Sequence, residues 1–329
     1  MHTPMHPTMP YPTSRLTQIL GTQYPLVQAP MSWVTNARLV AAVSNAGGLG
    51  VLGPHAGHST APSSTEETVE RMRAEIRKTR GMTDKPFGLN VILAGSETPD
   101  AFNTAWINMA LEEGVTHFIS VGNATERAFH LMKQQGATLI HRPLTPTVAN
   151  MRQAEALGAD VLVATGHDEG GHIPASAWGT FTIVPTMVDA VRVPVMATGG
   201  INDRRGVQAA FALGAEGVYI GTRFIVTQES PAAQSVKDRI VSSGYDDMAF
   251  VSPVQRSIRT RTADQLAGLL QDRHNALDLD DEIRKLGGLK PGMLLGHMDE
   301  GIISVNTGID IIRSVPSVQE LVDSLLEVG

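Results

Sequence analysis

Four times along this chain the same phrase recurs: a helical segment, a glycine, then a short apolar run. It reads Glu113-Gly114-Val115, Gln135-Gly136-Ala137, Leu157-Gly158-Ala159-Asp160 and Leu213-Gly214-Ala215-Glu216. Glycine accepts the left-handed backbone that stops a helix. Short apolar runs without polar alternation suit strands buried on both faces. Counting such runs before residue 225 predicts eight strands, at 25–28, 48–52, 87–93, 117–121, 138–141, 160–164, 193–197 and 217–220. Helical spacing fills the gaps at 36–45, 64–79, 99–113, 124–135, 147–157, 182–190 and 205–213, with Gly47 as a further stop. Strands and helices in this alternation predict an α/β fold, a TIM (β/α)₈ barrel. An open doubly wound sheet meets the same counts, because pattern alone does not close a barrel.

The period changes after about residue 228. Residues 1–20 read as a flexible, proline-rich leader and 21–228 as the barrel. Residues 229–302 read as a helical cap over the active face, with helices at 232–243 and 262–286 and no strand between them. Residues 303–329 read as a C-terminal segment whose amphipathic helix at 318–328 returns to the barrel.

Composition narrows the function classes. A chain of 329 residues, 42% hydrophobic, can bury a large core. A net charge of −7 with no basic run argues against nucleic acid, and no apolar run is long enough for a bilayer. The leader lacks the charged and apolar regions of a signal peptide. With no cysteine there is no disulfide, no thiolate metal site and no cysteine nucleophile. These observations predict a soluble cytoplasmic protein.

The chemistry concentrates where three predicted strands end. Asp168-Glu169-Gly170-Gly171-His172 follows the sixth, Thr198-Gly199-Gly200 closes the seventh, and Gly221-Thr222-Arg223 closes the eighth. Paired glycines on consecutive strands leave bare backbone amides where a phosphate can approach, and barrels commonly bind phosphate after strands seven and eight. One pair alone would be an ordinary turn; two pairs, the second with a hydroxyl, favour phosphate. His172, cleared by Gly170 and Gly171, is the candidate acid–base residue, because neutral imidazole suits proton exchange with an acidic carbon. His167, Asp168 and Glu169 lack metal-ligand spacing, so no metal is expected; His167 and Asp168 read as loop residues that position the His172 segment. Asn90 places an amide in an apolar strand, where a buried network or a ligand must satisfy it. Arg142, past the fifth strand, suits an anion at the barrel mouth as well as it suits a solvated loop. Gly48-Leu49-Gly50-Val51-Leu52-Gly53 matches the dinucleotide fingerprint in letters only, since it follows a helix and falls on a strand.

Six motifs then occur in a family's order: Tyr24-Pro25-Leu26-Val27-Gln28-Ala29-Pro30-Met31, Ala41-Ala42-Val43-Ser44-Asn45-Ala46-Gly47-Gly48-Leu49-Gly50, Lys85-Pro86-Phe87-Gly88-Leu89-Asn90, Glu169-Gly170-Gly171-His172, Ala197-Thr198-Gly199-Gly200-Ile201 and Ile220-Gly221-Thr222-Arg223-Phe224. The chain resembles the nitronate monooxygenase (2-nitropropane dioxygenase-like) family, which is related to enoyl-acyl carrier protein reductase II. The likeness runs from about Tyr24 to Glu229 and is looser beyond. It implies a barrel holding non-covalent FMN. Ala29, Pro30 and Met31 would lie beside the isoalloxazine and Asn90 would bond to it. Gly199, Gly200, Gly221 and Thr222 would hold the phosphate. Gly171, Arg142 (where relatives often have lysine) and Thr198 (where some have serine) would complete the cofactor set. His172 matches the family's catalytic histidine. The partners implied are a small-molecule substrate and O₂, and a homodimer is left open.

The family includes nitronate oxidation by O₂ and NAD(P)H-dependent reduction of enoyl thioesters or quinones. Nitronate oxidation is the expected activity, the reductases are the alternative, and a non-catalytic flavin- or phosphate-sensing barrel is the alternative of another class. Barrels of the inosine-phosphate dehydrogenase type share the glycine site but need a cysteine that this chain lacks.

Overall fold

Each glycine that punctuates the repeated phrase has left-handed backbone: φ is 93° at Gly47, 66° at Gly114, 76° at Gly136, 98° at Gly158 and 91° at Gly214. Helices stop there, and the chain turns directly into the next strand. The helices begin as locally: Asn36, Ser64, Asp100, Thr125, Thr147 and Asp203 each accept a first-turn amide through the side chain. The computed structural model describes residues 14–93, 100–272, 274 and 276–326.

Eight parallel strands result: β1 (Leu26–Gln28), β2 (Gly50–Leu52), β3 (Phe87–Leu93), β4 (His117–Gly122), β5 (Thr138–Arg142), β6 (Val161–Thr165), β7 (Val195–Thr198) and β8 (Gly217–Ile220). They pair in the order β1-β8-β7-β6-β5-β4-β3-β2. The ring closes where Leu49 N donates to Leu26 O (2.9 Å) and Gln28 N to Leu49 O (3.0 Å). The fold is therefore a TIM barrel, and the open-sheet alternative falls. Alternate residues face opposite ways. Val161 and Val163 join Val27, Val51, Ile119, Ile140 and Met196 inside the ring, while Leu162 and Ala164 pack outward under the helices.

Two regions depart from the sequence reading. Residues 15–20 of the expected leader form a helix, Arg15–Leu20, whose Leu16 and Leu20 are fully buried against the lower barrel interior. Its apolar residues are too few to stand out by periodicity, yet they close the ring's floor. The expected all-helical cap contains an antiparallel hairpin, β9 (Met248–Ser252) and β10 (Gln255–Ile258). The expected helix at 262–286 is two, Arg261–Gln271 and Leu279–Lys285, the second started by an Asp278 cap. The hairpin hides in sequence because its half-buried faces show no regular alternation. Its order comes from what it docks on.

Ile303 then bridges Ile258. The final helix, Val318–Leu326, packs against helices Ala37–Asn45 and Arg204–Ala212, between the first and last layers of the outer ring. Among the described residues no helix is long and apolar enough to cross a membrane.

Candidate active site

A cavity of about 430 Å³ opens at the C-terminal ends of the strands. All twelve residues singled out from sequence line it. Ala29, Pro30 and Met31 follow β1, Asn90 lies in β3, and Arg142 ends β5. Gly171 and His172 lie on the loop after β6, Thr198, Gly199 and Gly200 close β7, and Gly221 and Thr222 close β8.

The glycine cradle is tight. At Gly199 φ is 115°, and an added Cβ would stand 2.6 Å from Thr180 Oγ1. That hydroxyl lies 2.9 Å from Gly199 O and 3.0 Å from Asp168 Oδ2. Helix Thr180–Val188 begins at Gly179 and has no cap of its own; Asp168 Oδ2 instead accepts the Thr180 amide at 2.7 Å. The loop after β6 and the end of β7 are thus tied through one carboxylate. On the other side Thr222 Oγ1 accepts the Asn306 amide at 3.0 Å. Asn306 and Asn202 exchange side-chain bonds of 2.8 Å.

Asn90 is buried, and its Nδ2 donates to Ile119 O at 2.8 Å, so the neighbouring strand answers part of its polar demand. The fingerprint-like glycines serve packing: a Cβ on Gly53 would meet Met31 N and O at 2.7 Å. Gly53 therefore lets one strand end approach the segment lining the cavity.

The His172 loop is held from several directions. Gly171 N donates to Ser304 Oγ (2.9 Å), Ile173 N to Val254 O (2.8 Å) and Thr307 N to Asp168 O (3.0 Å). Arg256 of β10 donates to His167 O at 2.7 Å. A Cβ on Gly170 would meet Val305 C at 2.7 Å, so the C-terminal segment presses directly on this loop. His167 and Asp168 therefore serve the loop's position. No group of three or more His, Asp or Glu among the described residues could hold a metal ion.

Four lining residues are ionisable. Arg142 and Glu169 form a buried ion pair. Burial pushes the Glu169 carboxyl up to about 7, against the opposing pull of Arg142. Tyr219 is buried and its phenol is pushed up by desolvation. His172 alone is exposed, at the rim, where partial enclosure and then the Arg142 charge lower its imidazole below the ordinary value. Sequence reasoning placed Glu169 in the motif but gave it no role in the cavity. It missed Ser304, Asn306, Tyr219 and Gln255, which also line the cavity. Glu169 carried a signal, a carboxylate beside a glycine pair. Ser304 and Asn306 carried none, because their contacts span 133 and 84 residues of chain.

A closed (β/α)₈ barrel with its cavity at the C-terminal mouth, a glycine cradle after β7 and β8, and an imidazole beside it is the architecture of a barrel enzyme. The family model described as nitronate monooxygenase matches residues 13–327, and the chain belongs to that family of oxidoreductases. The match thus extends past the hairpin, beyond the part where the motifs are dense. The chain is 31% identical to a probable nitronate monooxygenase of Staphylococcus aureus, covering 88% of this chain and 91% of the relative. It is 29% identical to a (3aS,4S,5R,7aS)-5-hydroxy-7a-methyl-1-oxo-octahydro-1H-indene-4-carboxyl-CoA dehydrogenase of Mycobacterium tuberculosis, covering 94% of each. The solved structure of FabK from Thermotoga maritima superposes with a TM-score of 0.83 at 29% identity, covering 96% of each chain.

Proposed function

We propose that the chain is an FMN-dependent oxidoreductase that oxidises alkyl nitronates, the anions of nitroalkanes, with O₂. The observation that carries this reading is the convergence of the glycine cradle and His172 on one cavity. The residues fit FMN. A Cβ on Gly171 would meet no atom within 4 Å and so would enter open space, and on Gly221 it would only touch Ala29 and Met31 at 3.7 and 3.8 Å. Bare backbone therefore lines the cavity where a phosphate and a flat ring need close approach. FMN, when bound, supplies electron exchange with the substrate and reoxidation by O₂.

The chain's own residues do the rest. Gly199, Gly200, Gly221 and Thr222 hold the phosphate, with Thr198 and Gly171 beside them. Ala29, Pro30, Met31 and Asn90 lie along the ring. His172, the exposed titratable group on the lining, exchanges a proton with the substrate carbon or steadies its anionic form.

A second reading is an NAD(P)H-dependent reductase or a dehydrogenase of thioesters. It is supported by the CoA thioester in the name of the Mycobacterium relative, which aligns over nearly the full length. Anaerobic mixing separates the two. Propyl nitronate bleaching the flavin while NADH does not is the expected result. Bleaching by NADH or NADPH alone would replace the nitronate reading with the reductase.

A further inference from the structure

The buried ion pair beside His172 belongs to neither the phosphate cradle nor the proton exchange, although its Arg142 is one of the residues expected at the cofactor. Arg142 and Glu169 are 6% and 7% exposed. Taking both charges out of water costs much of what their attraction returns, so such a pair is weak support for stability alone. Its placement suggests another use. Arg142 ends β5, a rigid strand, and Glu169 begins the loop after the adjacent β6. The same Arg142 nitrogen that contacts Glu169 also donates to the backbone carbonyl of His172 at 3.1 Å. Between Glu169 and His172 stand two glycines, one of them at φ 78°. A glycine pair gives the peptide wide freedom, and the guanidinium spans it from end to end.

We propose that the Arg142–Glu169 pair is a positioning device, which fixes the His172 imidazole at the cavity rim by gripping both ends of its glycine hinge. The proposal rests on the reading of His172 as the acid–base group. The hairpin and the C-terminal segment hold the neighbouring amides of Gly171 and Ile173, and the His172 carbonyl is where β5 holds the far end of the glycine pair. Arg142 and Asp280 face His172, with opposite effects on its ring, while Arg142 and Arg256 face Glu169, with the Tyr219 phenol close by.

The test uses the flavin-loaded enzyme, a neutral nitroalkane as substrate, and three variants: His172→Asn, Glu169→Gln and the double variant Arg142→Met with Glu169→Met. Flavin content, melting temperature, kcat, KM and the pH dependence of kcat/KM are read for each. Glu169→Gln should keep its flavin and lose roughly 10²-fold in kcat, the scale of an ångström's misplacement, with KM little changed. The double variant, with no buried charge left unpaired, should melt close to the parent and, per mole of bound flavin, remain as slow as Glu169→Gln. Parental kcat in a stable double variant would overturn the proposal. If that variant does not fold, parental kcat in a flavin-loaded Glu169→Gln overturns it instead. Full activity in His172→Asn would remove the acid–base reading itself, and the positioning device would fall with it, a result distinct from the other two.

Discussion

The two halves of the candidate site are built differently. The cradle after β7 and β8 is backbone at two strand ends, braced by Thr180 and Asn306 and so close-packed that a single methyl at Gly199 would strike Thr180. The loop carrying His172 is held from outside: by Val254 and Arg256 of the hairpin, by Ser304 and Thr307 of the C-terminal segment, and by Arg142 of β5. A site for a cofactor that stays bound can be rigid and local. A group that must meet a changing substrate sits instead on a loop whose far end is set by the hairpin, the C-terminal segment and β5, while only Asp168 at its start is tied to the cradle.

If this division is correct, cradle variants lose flavin, and loop variants keep flavin and lose turnover. The largest effect is expected from Gly200→Asp. Two unit charges at 4 Å in partly screened surroundings repel by about 4 kcal/mol, roughly a thousandfold in affinity, and Gly200 already needs φ 69°. The purified variant should be colourless, and visible absorbance per mole of protein checks it. Undiminished flavin content would move the phosphate elsewhere and end the comparison.

Next in size is His172→Asn. Flavin content should match the parent, while turnover of a neutral nitroalkane falls roughly 10²–10⁴-fold, the usual contribution of a positioned acid–base group. With preformed nitronate less proton work remains, and the loss should be smaller. A variant as fast as the parent on the neutral acid would make His172 a bystander.

Arg256→Met tests the hairpin's hold without touching the cavity lining. It removes a donor to His167 O from a buried guanidinium whose Nη1 has no partner. A hydrogen bond from a charged donor is worth about 1.5–3 kcal/mol, part of which the unpartnered Nη1 gives back. Roughly tenfold slower turnover is expected, with normal flavin and faster amide hydrogen exchange across residues 167–173. Exchange protection equal to the parent would show that the hairpin does not fasten the loop.

The smallest effect is in pH. Partial enclosure and Arg142 lower the His172 pKa. Neutral imidazole, the form that accepts a proton, therefore persists below the ordinary value of about 6.5. The His172 ring should stay neutral as pH falls through 6.5 and gain its proton only below it, as the folded-state pKa is passed; NMR titration of the ring protons checks this. A midpoint above 6.5 would show that the local field at His172 has the opposite sign.

Legibility followed the range of the interactions. The barrel was readable because five of its strands, β2, β4, β5, β6 and β8, directly follow a helix and its stop glycine. Gly114, Gly136, Gly158 and Gly214 all adopt the left-handed backbone that their places in the phrase require. The cradle was readable for the same reason, since Gly199-Gly200 and Gly221-Thr222 lie directly on strand ends. The helix Arg15–Leu20 was not, because two buried leucines have meaning only once the ring they close exists. The β9–β10 hairpin was not, because it is ordered by docking on the His172 loop more than by its own alternation.

Sequence by itself determined the alternation of strand and helix, where each helix stops, and which glycines and which histidine stand at the strand ends. Those are properties of single residues and their near neighbours, decided by backbone sterics and short-range periodicity. Tertiary structure alone decided that the ring closes through Val27 and Leu49, that Arg142 is paired with Glu169, and that Ser304 and Asn306 reach the cavity. Each of those requires two segments far apart in the chain to meet at hydrogen-bond distance, and no local pattern records which partner will arrive.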